Sequence, residues 1–140
     1  MFYTRSMTVA ANTSEANALE ETIDLSHGVI TRVTFRPRPG HHSLLHVRVF
    51  HRRHQIFPDC ADDDLHGDTY PLQWEEWYEM FEKPFTLIIL AWNDDDIYPH
   101  AFDIAFEVMP KFVALPYAFN KAISDLFTML SPKRIFSKKG

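Results

Sequence analysis

Alternation of apolar and polar residues dominates the middle of this chain. In SLLHVRVFH, Leu45, Val47 and Val49 fall on one face, and Leu44, His46, Arg48 and Phe50 on the other. Val29, Thr31, Val33 and Phe35 alternate with Ile30, Arg32, Thr34 and Arg36 in the same way, until Pro37, Pro39 and Gly40 stop the run. Period two with β-branched residues predicts a strand. HAFDIAFEVM repeats the pattern, with Phe102, Ile104, Phe106 and Val108 opposite Ala101, Asp103, Ala105 and Glu107. FTLIILAW is apolar throughout and reads as a strand buried on both faces. Ile23 and Leu25 suggest a further short strand before these. The short links PRPGHH and NDDDIYP predict two antiparallel hairpins, 29–36 with 43–51 and 85–92 with 100–109.

Two segments follow another period. Phe119, Ile123, Leu126, Phe127 and Leu130 recur every three or four residues and Pro132 ends them, which predicts a helix over 113–132. In TYPLQWEEWYEMFEKP, Trp74, Trp77, Tyr78 and Phe81 form a helical stripe, so the reading is a short strand at 69–73 followed by helical turns. Residues 1–21 show no sustained period and read as a flexible N-terminal arm with a short turn near Ser14 to Glu21. The domain plan is therefore an arm (1–21), a β domain (22–112), a helix (113–132) and a basic tail (133–140). The expected fold is mostly β: an antiparallel β-sandwich or half-open barrel with a C-terminal helix.

Composition sharpens this. The chain has 140 residues, long enough for one domain with its own core. An aromatic share of 14% argues against disorder. The single Cys60 excludes an internal disulfide and fits a reducing compartment; its acidic neighbours make it a poor nucleophile. No signal-like segment opens the sequence, and no apolar run is long enough for a spanning helix, so a soluble, non-secreted protein is expected. Charge is blocked. Residues 30–58 carry six arginines and no acid; residues 59–103 carry thirteen acids and Lys83; from residue 110 there are six bases and Asp125. These blocks pair either within one subunit or between a basic face of one copy and an acidic face of the next.

His46, Arg48, Arg52 and Arg53 define the expected basic interaction face, and Asp62, Asp63, Asp64, Asp94, Asp95 and Asp96 the acidic loops. Five histidines between His41 and His54 raise the question of a metal. On a strand, His42 and His46 stand about 13 Å apart along the chain and cannot share one ion. His51 and His54 point to opposite faces if the strand continues. No metal site and no cofactor is therefore expected. Asp62, Asp64, His66 and Gly67 match positions one, three, five and six of a calcium loop, but Gln73 stands where the bidentate glutamate belongs. Arg48, Arg52 and Arg53 interleave with Phe50 and His54 as in a nucleic-acid patch; an acidic chain without a recognition motif argues against that partner. Histidines on this face would add positive charge below neutrality and strengthen contact with an acidic surface.

HQIFPDC, FTLIILAWNDDDIYPH and the terminal extensions give residues 22–110 a layout that resembles small β-sandwich structural proteins of tailed-bacteriophage particles. The resemblance implies a virion subunit without catalysis, assembled in the host cytoplasm. Its partners are copies of itself and other structural proteins, with no membrane. Two other readings stand beside it. Trp92 and Tyr98, beside an Asp-rich loop, suit a carbohydrate- or ligand-binding module. Histidines arriving from separate strands suit a metalloenzyme.

Overall fold

The computed structural model describes residues 1–130. Eight strands form two antiparallel four-stranded sheets. They are β1 (Phe2–Val9), β2 (Leu19–Asp24), β3 (Gly28–Pro37), β4 (Leu45–His51), β5 (His54–Phe57), β6 (Leu72–Met80), β7 (Thr86–Asn93) and β8 (His100–Met109), followed by helix α1 (Lys111–Met129). One sheet has the order β1-β8-β3-β6 and the other β2-β7-β4-β5. The expected β-sandwich with a C-terminal helix is what the chain forms; the sheets stay open and do not close into a barrel.

Alternation decides the core. Leu45, Val47 and Val49 of β4, Leu87, Ile89 and Ala91 of β7, and Phe102, Ile104 and Phe106 of β8 are buried and meet between the sheets. Ile30, Val33 and Phe35 of β3 join them, with the face switching at a register shift between Ile30 and Arg32. β7 presents only its 87, 89, 91 face to this core; Thr86, Ile88 and Leu90 on the other face are half-buried. The layers meet at their edges. Arg5 of β1 reaches Glu21 at 3.5 Å and the Thr22 carbonyl at 2.9 Å on β2. At the opposite side, Phe57 of β5 packs against Trp74 and Tyr78 of β6. A cleft of about 470 Å³ opens there, lined by Ile56, Phe57, Leu65, Leu72 and Trp74.

Several expected elements differ. Residues 2–9 are not an arm: β1 pairs with β8 from Phe2 opposite Glu107 to Val9 opposite His100, and buries Met7 and Val9. Neither expected hairpin forms, because β3 and β8 lie in one sheet and β4 and β7 in the other. PRPGHH and NDDDIYP therefore carry the chain across the sandwich. Gly40, His42 and Ser43 take positive φ in the first of these links. Residues 74–78 are not helical; they belong to edge strand β6, where Trp74, Tyr78 and Met80 turn inward against β3. Thr69 to Pro71 precede that strand instead of starting one. The basic tail expected over 133–140 lies outside the described residues.

α1 meets the body at β3 and buries Ala114 alone among its residues. Phe112, Leu115, Tyr117, Phe119, Leu126 and Phe127 are exposed. No helix among the described residues is long and apolar enough to cross a membrane.

Candidate histidine–aspartate site on the β2-β7-β4-β5 sheet

His46 projects from the outer face of β4, opposite the side on which Leu45, Val47 and Val49 enter the core. An isolated bridge brings the β5–β6 loop to it. Val47 N–H donates to the Leu65 carbonyl at 2.9 Å, and Leu65 N–H to the Val47 carbonyl at 2.8 Å. Leu65 is buried in the core, so its neighbours Asp64 and His66 turn outward, to the side that carries His46 and Arg48. One bridged apolar pair thus assembles a polar cluster from residues eighteen and twenty positions apart in sequence.

His46 Nδ1 lies 2.8 Å from Asp64 Oδ1, and His66 Nδ1 lies 2.9 Å from the same oxygen. On its other side, His46 Nε2 is 3.1 Å from Asp94 Oδ2. Asp94 is held by its N–H, which donates to the Leu44 carbonyl at 2.9 Å. Trp92, the cross-strand neighbour of His46, stacks flat on its ring at 5.1 Å with an interplanar angle of 10°. Burial pushes the Asp64 carboxyl up, but hydrogen bonds and charge from His46 and His66 outweigh it and hold it below the usual carboxylate range. A neutral imidazole carries one N–H and satisfies one carboxylate. With carboxylates at both nitrogens, His46 calls for a second positive species in its plane, a proton or a metal ion.

Arg48 corrects the expected basic face. It is buried, not displayed. Its Nη1 donates to Glu15 Oε1 at 2.6 Å, its Nε to the Asp63 carbonyl at 3.0 Å and its Nη2 to the Asp62 carbonyl at 2.9 Å, and its guanidinium lies 4.8 Å from the Trp92 ring centre. The basic strand and the acidic loops meet each other inside one chain. The planar guanidinium exchanges water for fixed acceptors, the Asp62 and Asp63 carbonyls and the Glu15 carboxylate, that match its forked donors. Trp92 is correspondingly no free platform: His46 and Arg48 both lie against its ring and it is buried. Tyr98 does stand exposed. Arg52, at positive φ in the β4–β5 turn, donates to the Lys83 carbonyl at 3.0 Å, and Arg53 is exposed. Asp62, Asp94 and Asp96 are exposed; Asp63 accepts the Asp64 N–H at 2.9 Å.

Asp95 builds its own loop. Its Oδ1 accepts the N–H groups of Ile97 and Tyr98 at 2.8 and 3.0 Å, and its Oδ2 sits 2.9 Å from His100 Nε2. The Tyr98 and Ile97 amides hold its pKa down. His100 faces His41, with ring centres 4.7 Å apart. His41 is buried and neither of its ring nitrogens has a partner. Burial, then the neighbouring His100, lowers its pKa. His51 is fully satisfied: Nε2 donates to the Pro84 carbonyl at 2.8 Å, which leaves Nδ1 to accept from the Tyr78 hydroxyl at 2.8 Å. Burial raises the Tyr78 pKa, in keeping with a donor role. Cys60 is exposed.

Sequence spacing places His66 only in a partial calcium-loop count. The usable signal is Asp64-Leu65-His66 itself: an apolar residue between two ligand types, the strand-like spacing that aims both side chains one way. His41 carries no such signal, because burial at a link is not periodic. No protein-family model, no curated protein and no solved structure matches this chain.

Proposed function

We propose that this chain is a non-enzymatic assembly subunit that associates with further copies of itself through α1. The observation that carries the proposal is the helix. It presents Phe112, Leu115, Phe119, Ala122, Leu126 and Met129 at alternating three- and four-residue steps, and all six are exposed. Steps of three and four give an apolar seam that mates with an identical seam on a second helix. Phe112 is 79% exposed and Phe119 65%. Large apolar side chains held contiguously in water favour burial against a partner. The body supplies little cover, and among the described helical residues only Lys111, Lys121 and Asp125 carry charge. The likeness in layout to phage structural proteins makes a virus particle the setting of this proposal.

Light scattering on the full chain tests it. The wild type is expected to form a discrete oligomer that Phe119→Asp with Leu126→Asp converts to a monomer with an unchanged strand signal in circular dichroism. A wild type that stays monomeric at its highest soluble concentration would refute the proposal.

A further inference from the structure

We propose that His46, Asp64 and His66 form a site for one divalent transition-metal ion, with Asp94 orienting His46 from outside the coordination sphere. One ligand atom from each of the three residues lies within 4.8 Å of the others. Donors around a tetrahedral ion at about 2.0–2.2 Å stand roughly 3.3 Å apart. The two His–Asp separations, 2.8 and 2.9 Å, reach that value by sub-ångström movements. Two imidazole nitrogens and one carboxylate oxygen suit zinc, cobalt, nickel or copper; calcium and magnesium call for more oxygen donors.

The surroundings add two independent arguments. A metal-bound histidine usually gives its other N–H to a carboxylate, which fixes the tautomer and aims the free lone pair at the metal. Asp94 Oδ2 stands at His46 Nε2 in that role, leaving Nδ1 for the ion. Trp92 closes one side of the ring by stacking and limits its rotation. His66 comes from the open side, its side chain 51% exposed, which leaves room for water or another small donor to complete the sphere. An ion here would tie the β5–β6 loop to β4 beside the Val47–Leu65 bridge. The role is structural and involves no chemical step.

The test uses full-length protein without a histidine tag, stripped with chelator and dialysed against zinc. The expected result is one zinc per chain by metal analysis, a thermal midpoint raised by zinc and lowered again by chelator, and a tetrahedral absorption band on cobalt substitution. Asp64→Asn and His66→Ala should each weaken zinc binding by about tenfold or more, and Asp94→Asn by about 10- to 100-fold. His54→Ala and Cys60→Ser should bind as the wild type does. His66, being half-exposed, keeps the test decisive if Asp64→Asn fails to fold. Zinc absent from the dialysed wild type, or bound equally by wild type and His66→Ala, overturns the site.

Discussion

The two ends of the described chain differ in sequence and behave opposite to what their hydrophobicity suggests. Both are extensions flanking a β domain. β1 hydrogen-bonds along β8, contributes Met7 and Val9 to the core, and anchors its amino terminus on the Val108 carbonyl at 2.6 Å. α1 is longer and far more apolar, yet buries only Ala114 against the body. Hydrophobicity alone therefore does not say which extension belongs to the fold. What decides is whether an unpaired sheet edge waits for it. β8 has such an edge, and a strand covering it satisfies backbone groups that would otherwise stay open. The helix has no ladder to offer such an edge, and of its residues only Ala114 is buried.

Met7→Asp is the hardest test of this contrast. A carboxylate at a position only 3% exposed, with no cation to meet it, should cost about 3–5 kcal/mol in urea unfolding. That is a large part of a typical domain's stability. A loss below about 1 kcal/mol would mean that β1 is dispensable after all. Gly28→Ala comes next. A Cβ at Gly28 would run into the Met109 carbonyl, where β8 hands over to the helix. Backbone cannot yield cheaply, so a loss of about 1–3 kcal/mol is expected without any change to the helix sequence. By contrast, Phe119→Asp with Leu126→Asp should leave unfolding free energy within about 0.5 kcal/mol, measured where both proteins are monomeric. A larger loss would show that α1 packs on its own body.

The smallest effect separates body from helix by pH. His41 has its pKa lowered below 6.5 by burial and by His100. As pH falls past 6.5 the unfolded chain takes up that proton and the folded chain does not, so stability falls until the folded-state pKa is passed. Unfolding at pH 7.5 and 5.0 should show this loss, and His41→Leu should reduce it. α1 has no histidine and takes no part.

Period-two segments were legible in the sequence because one face of each enters the core: β4 and β8 alternate as their residues do. Their pairing was not. A link of six residues can return a strand within its sheet or carry it across a sandwich about 10 Å thick, and composition does not distinguish these. β6 misleads for a geometric reason. Trp74 and Tyr78 share a face in a helix and in a strand alike, since a spacing of four suits both periods; Trp77 and Phe81 complete the helical stripe, but Trp77 turns outward and Phe81 lies beyond the strand. β1 was missed because Arg5 occupies the inward parity of Met7 and Val9, breaking the alternation, and uses that place to bridge to Glu21. The histidine question shows the same limit. His42 lies before β4, so distance along that strand does not relate it to His46, and Asp64 and His66 come to His46 from the loop tied to β4 by the Val47–Leu65 bridge. Single-strand geometry has no view of that contact.

The crossing links also set when the molecule can fold. Among the strand pairings of the described residues, only β4 with β5 joins neighbours in sequence. Met1 meets Val108, 107 positions away. A chain dominated by such remote pairings closes long loops before contacts repay them, and folds slowly for its size. During synthesis, β1 would emerge well before β8 and wait, unpaired, until β8 had left the ribosome. Its Thr4, Arg5, Ser6 and Thr8 then keep a solitary strand soluble through that interval. The polarity that conceals β1 in the sequence suits a strand whose partner lies far along the chain.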